Sequence, residues 1–502
     1  MALMTHDAKS DAHTNGGVPR RLSGALLAAV FSLAIGASAV DDSWARAPRV
    51  SPRDRASAAQ QHPQIVAQFG GAVGGPTQTY VDGVGQKIAT AAGLPGQCTF
   101  TVISSEVVNA FAVPGCYIYI TRGLLAIMNS EDELASVLGH EVGHITAEHS
   151  SARQTRGTIA GIGAIAVGIL TKNGQLAQLA SQAGQLYTLS YSRGQEFEAD
   201  DRGVSYLITS GYNPFAASDM LQALGVNDAL AAKTTNRTAG SEIPAWARSH
   251  PMTQDRVTRA AALAQRAGAS RATPVEKTRP YLQSISGLIY GDDPEQGFVN
   301  GRTFAHPKLK IAFDAPQGFT LTNTTTAVLV AGPNNLKAQF AGGPLPAQGG
   351  LDAYAAGVLR QLVGQSPVQT GQVQRSATNG LETSLLPARA QTQSGQVVDI
   401  AVSAYRVGAQ AYHFVTLAPA GAAQPMAPML GSFRVLTDAQ AAALRARSVE
   451  IVEVTSRDTV QSLAQRMAFT DYQAERFLAL NGRDAGTPLR AGELVKIVSY
   501  AR

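Results

Sequence analysis

One pentapeptide restricts this chain more than any other stretch: His140-Glu141-Val142-Gly143-His144. Histidines four residues apart share one face of a helix, so both imidazoles can reach a single metal ion. The flanks argue for that helix. Ser130 with Glu133 three residues on makes a capping-box pattern, and Leu134, Val137, Leu138 and Ile145 recur at helical spacing. Glu141 follows the first histidine and is placed to take a proton from an attacking water rather than to hold the metal. The bland alternative is an ordinary helix with solvated histidines. With only nine histidines in 502 residues, chance supplies such a pentapeptide in fewer than ~1% of chains.

A catalytic zinc site takes a third protein ligand and keeps one position open. A third histidine in the metzincin pattern would need Gly at 147 and His at 150, where this chain has Ala147 and Ser150. His149 lies roughly 140° around a continuing helix from His144, which makes it a surface or packing residue on this reading. The better ligand lies in Glu196-Phe197-Glu198-Ala199-Asp200. Glu196 and Asp200 share a helix face by their i,i+4 spacing, so Glu196 can ligate while Asp200 orients a ligating histidine through its free ring nitrogen. Glu198 is turned about 200° from Glu196 and reads as part of an acidic helix start.

The rest of the chain sets the context. Residues 1–39 read as a signal peptide, with Arg20-Arg21, an apolar run from Leu22 and the small residues Ala37-Ser38-Ala39; an uncleaved anchor is the alternative. This predicts a periplasmic or cell-envelope location. There Cys98 and Cys116 either pair or remain free buried thiols. Residues 40–75 read as a flexible lead-in. Residues 158–170 are apolar but too short to span a bilayer, and suggest a peripheral membrane contact. Only 15% of residues are charged and the net charge is +5 without a Lys/Arg run, so a nucleic-acid partner is not expected. Seventeen of the 77 charged residues lie beyond residue 437, marking a separate, well-solvated module at the end.

Asn109-Ala-Phe-Ala-Val-Pro-Gly-Cys116, Tyr117-Ile-Tyr-Ile-Thr121, Arg122-Gly-Leu-Leu, the HEVGH segment and Ser192-Arg193…Glu196…Glu198-Ala-Asp200 together resemble the M48 metallopeptidases. The resemblance covers about residues 75–295. It implies a zincin-type core with one Zn2+ per chain, His140, His144 and Glu196 as ligands, and Glu141 as general base. It further implies that an extended substrate lies along Asn109, Ala110 and Phe111. Ser249-His250-Pro251 followed by Arg256 matches another motif of the family. From the residues alone His250 could be an ordinary surface histidine. The resemblance makes it a catalytic residue that stabilises the oxyanion or occupies the open zinc position at rest, with Arg256 behind the ligands. Long hydrophobic helices are lacking, so the chain resembles the soluble, envelope-located members.

Val454–Val460, Leu463-Ala464, Leu480-Asn481-Gly482 and Leu489–Ile497 resemble a LysM module, a βααβ fold whose family binds peptidoglycan; Arg457 stands where that pattern has Gly. The expected fold class is α+β. A mainly helical metalloprotease core with a small edge sheet (76–295) is followed by a small α+β domain (296–437) and the LysM-like module (445–502). The expected function is a zinc-dependent endopeptidase acting on misfolded or misassembled envelope proteins. A non-proteolytic chaperone or wall-tethered scaffold, and a peptidoglycan peptidase or amidase, are the alternatives.

Overall fold

The computed structural model describes residues 49–149, 191–234, 245–251, 253–271, 275–364, 366–391 and 395–501. The expected signal peptide and the apolar stretch 158–170 lie outside the described residues. No helix among the described residues is long and apolar enough to cross a membrane. Helix and strand are both abundant, as an α+β class requires.

Residues 52–68 are not a flexible lead-in. They form α1 (Pro52–Gln68), capped by Ser51, and bury Ala58 and Ile65. These pack with Phe69 on Phe111, Val113 and Tyr119 of the sheet that follows. The Arg/Gln-rich composition hid a helix whose few apolar residues sit on one side, which is enough to dock it.

Then come α2 (Gly75–Ala91), β1 (Thr99–Ile103), β2 (Ala110–Val113), β3 (Tyr117–Thr121), α3 (Arg122–Ile127) and α4 (Glu131–Thr146). The sheet order is β1-β3-β2, with β1 parallel and β2 antiparallel to β3, so β2 is an edge. Cys98 and Cys116 are disulfide-bonded at the base of this sheet. Helix α4 begins with Ser130 Oγ accepting the Glu133 N–H at 3.2 Å. The reciprocal half of the box is displaced by one residue: Glu133 Oε2 accepts from Asn129 N at 2.7 Å.

Beyond lie α5 (Arg193–Thr209), α6 (Phe215–Thr234), α7 (Ala245–Ser249), α8 (Gln254–Arg266) and α9 (Val275–Ser284). Helix α5 carries a complete capping box between Ser192 and Gln195. It crosses α4 at close range because glycines occupy the contact. A Cβ on Gly143 would meet Ala199 O at 2.8 Å, and one on Gly203 would meet His140 N at 3.1 Å. That approach brings the two helices' functional faces together.

Residues 298–435 form an eight-stranded and a four-stranded antiparallel sheet, with the helix Gly350–Val363 packed on the larger one. His306 and His413 are buried there, His413 with its Nδ1 2.9 Å from Tyr354 Oη.

The last segment has the order β4 (Arg447–Glu453), α10 (Val460–Gln465), α11 (Gln473–Leu480) and β5 (Leu494–Tyr500). Its strand-helix-helix-strand order is as expected, but its separation is not. β4 pairs with Ile289–Tyr290, and Val449 belongs to the same buried cluster as Ile88, Leu138 and Trp246. Lys496, fully buried, donates from Nζ to Ala126 O at 2.7 Å and also to Met128 O, just ahead of α4. The high charge fraction described its outer face and said nothing of the face that docks.

Candidate metal centre

His140 and His144 project from one face of α4, and Glu196 and Asp200 from the facing side of α5. His250 enters from the end of α7. Atoms of His140, His144, Glu196 and His250 all lie within 4.8 Å of one another. His144 Nε2 is 3.0 Å from His140 Nε2 and 3.5 Å from Glu196 Oε1. His250 Nδ1 is 3.2 Å from His140 Nε2 and 3.1 Å from Glu196 Oε1. Ligand atoms around a tetrahedral zinc at 2.0–2.1 Å stand roughly 3.3 Å apart, so this spacing suits the ion, as does a set of neutral imidazoles and one carboxylate. Among the described residues, the buried Glu141 Oε2 and His250 Nε2 have no hydrogen-bond partner. The cluster can hold one metal ion, and the donor set is that of zinc.

Behind these atoms, His140 Nδ1 stands 2.8 Å from Asp200 Oδ1. Arg256 forks onto Asp200 through Nε and Nη2 at 2.7 and 2.8 Å, and its Nη1 reaches Glu196 Oε2 at 2.7 Å. Burial alone would raise both carboxyls. Arg256 and His140 nevertheless hold Asp200 below the usual carboxylate range, and His250 and His144 hold Glu196 well below it. Burial drives His144 well below the ordinary imidazole value, which keeps it neutral, as a ligand must be. His250 is raised: burial opposes its charge, but Glu196 and Glu141 outweigh burial. Burial raises Glu141, against the pull of His250 and His140. A carboxyl lifted in this way is better matched to taking up a proton near neutral pH.

The cleft beside His140 and Glu141 is lined by Asn109, Ala110, Leu124, Val137, Met220 and Trp246. Phe111, the next residue along β2, does not line this cleft. Its ring is buried against Tyr119 and Phe69 at 4.9 and 5.2 Å, under α1. Strand alternation explains this, since Ala110 and Phe111 must face opposite sides of the sheet. A chain lying along β2 could meet Phe111 only through its backbone.

Two features escaped the sequence. Tyr191 stacks on His144 with ring centres 3.6 Å apart, and nothing local to either residue announces that contact. Of the two readings of His149, surface or packing, the structure supports packing, but onto His144 itself: it is buried with its Nδ1 2.9 Å from His144 Nδ1. The angular estimate assumed a continuing helix, but α4 ends at Thr146.

Residues 76–264 match Peptidase family M48. Among its relatives, the beta-barrel assembly-enhancing protease of Yersinia pestis is 26% identical over 43% of this chain and 44% of its own length. The mitochondrial metalloendopeptidase OMA1 of Schizosaccharomyces pombe is 29% identical over 42% of this chain and 60% of its own. OMA1 of Arabidopsis thaliana is 33% identical over 25% of each. The chain thus spans a quarter to three fifths of the length of these relatives.

Proposed function

We propose that this protein is a zinc-dependent endopeptidase of the bacterial cell envelope that hydrolyses misfolded or misassembled exported proteins. The observation that carries the reading is the convergence of His140, His144 and Glu196 on one point, with the Glu141 carboxyl raised by burial beside it. The apolar cleft supports a polypeptide substrate, because unfolded chains present the large apolar side chains that such walls accept. The beta-barrel assembly-enhancing proteases among its relatives support the envelope setting.

Zinc, when bound, supplies a Lewis acid that polarises the scissile carbonyl and makes a water easier to deprotonate. Glu141 accepts the proton of the attacking water and passes it to the departing amine. Asn109 and Ala110 hold the extended substrate at the edge of β2, and Asp200 and Arg256 keep His140 and Glu196 in place. His250 Nδ1 stands among the ligand atoms, where it could either occupy the open zinc position at rest or stabilise the oxyanion.

The test is digestion of an unfolded protein by the zinc-loaded chain. Glu141→Gln should retain zinc and lose digestion; digestion at the parental rate would sink the mechanism. His250→Ala should raise the rate if His250 blocks the site at rest, and abolish it if His250 serves the oxyanion. Release of fragments from purified peptidoglycan by the same sample would move the reading to wall hydrolysis.

A further inference from the structure

The two histidines of α4 are each anchored by a carboxylate–arginine pair, but only one anchor is direct. His140 Nδ1 faces Asp200, which Arg256 holds. His144 Nδ1 faces an imidazole instead: His149 Nδ1 at 2.9 Å, whose Nε2 lies 3.2 Å from Glu198 Oε2. Glu198 Oε1 in turn accepts from Arg202 Nε and Nη2 at 3.1 and 2.8 Å, and Arg202 Nη1 donates to Thr146 O at 3.1 Å, the end of α4 itself. From these contacts we infer that His149 is the positioning residue for His144, and that Glu198 and Arg202 complete its anchor. The inference rests on the reading of the cluster as a metal site.

The backbone explains how His149 gets there. Past Thr146 the chain makes a Schellman turn, with Glu148 N donating to Ile145 O at 3.0 Å and His149 N to His144 O at 3.1 Å. Glu148 takes the left-handed conformation that glycine usually supplies, φ +53°. The turn folds residue 149 back over residue 144 instead of carrying it a further turn along a helix. With the metal on Nε2 of His144, its Nδ1 carries the hydrogen and donates to His149 Nδ1. That leaves the hydrogen of His149 on Nε2, where it donates to Glu198. Every donor in the row then meets an acceptor, and the row fixes both the tautomer and the ring angle of His144.

The measurement is zinc affinity by chelator competition on the full-length chain, together with the visible spectrum of the cobalt-loaded form. His149→Phe keeps a ring of similar shape without the acceptor. It should weaken zinc 10- to 100-fold, the range for removing such a supporting partner, and shift the cobalt bands. Glu198→Ala, at a half-exposed position where folding is not at risk, should weaken zinc less but in the same direction. Glu148→Gly preserves the turn and should leave affinity at the parental value. A purely structural role would lower the melting temperature of the zinc-free chain and leave affinity alone. Parental zinc affinity in folded His149→Phe overturns the inference; if that variant does not fold, parental affinity in Glu198→Ala does so. A parental chain that binds no zinc overturns the metal reading and this inference together.

Discussion

Replacing Arg256 with Met keeps the bulk of the side chain and removes the guanidinium that joins Asp200 to Glu196. All three residues are buried. The parent makes three charge-assisted contacts of 2.7–2.8 Å there. Taking one partner from a buried ion pair costs about 3–5 kcal/mol, because the other charge is left uncompensated. His140 and His250 still face the two carboxyls, so we expect a loss of about 4 kcal/mol from the zinc-free protein at pH 8, within that range. The pH dependence carries a definite sign. In the parent, Asp200 is held below its ordinary value, so its stabilisation is present above that value and fades only as pH falls through the depressed one. Without Arg256, we expect burial to outweigh His140, the partner that remains, and to lift Asp200. The folded state then holds the proton more tightly than the unfolded state, and stability falls as pH rises past the carboxylate range. The loss should therefore be larger at pH 8 than at pH 5. Urea unfolding of chelator-treated parent and variant at both pH values measures it. A loss below about 1 kcal/mol, the scale of an exposed ion pair, or one equal at both pH values, would refute the reasoning.

Three further outcomes follow from the fold. Deleting residues 445–502 should not release a separable tether; it strips Val449 from the main core and Lys496 from its carbonyl partners, so the remainder should lose cooperative unfolding. A soluble truncated chain with the parental melting temperature would contradict the docking. The Cys98–Cys116 bond closes a loop of 18-residue separation, so replacing both with Ser should cost about 3 kcal/mol, with the same loss on reduction of the parent. An unchanged urea midpoint would speak against the pairing. Burial lowers His413 from 6.5 to about 4. The unfolded chain therefore takes up a proton first as pH falls from 6.5 toward 4, and up to about 3 kcal/mol of stability is lost over that window. His413→Gln should flatten this acid slope, and an unaltered slope would show that other groups set it.

The residues of the candidate metal centre were legible because their signals are local. Residues four apart on a helix share a face whatever the rest of the chain does, so His140 with His144, and Glu196 with Asp200, could be paired from spacing alone. Capping at Ser130 located the start of α4, and the structure puts it there. Glu198 shows the limit of such reasoning. Its turn away from Glu196 was right, but reading it as part of an acidic helix start left out its contact with His149.

What the chain determined by itself is the donor set: two imidazoles and a carboxylate on two helix faces, with Glu141 beside them. Only the tertiary structure decided how that set is held. The glycine contact between α4 and α5 sets their approach, and the left-handed turn at Glu148 brings His149 onto His144. The same level of structure buries Phe111 beneath α1 and seats Lys496 against the carbonyls ahead of α4. None of these follows from periodicity, because each depends on a chain reversal or on surfaces hundreds of residues apart. Helical spacing is dictated by bonds within a few residues, whereas the packing of one face against another is dictated by whatever the whole chain brings to it.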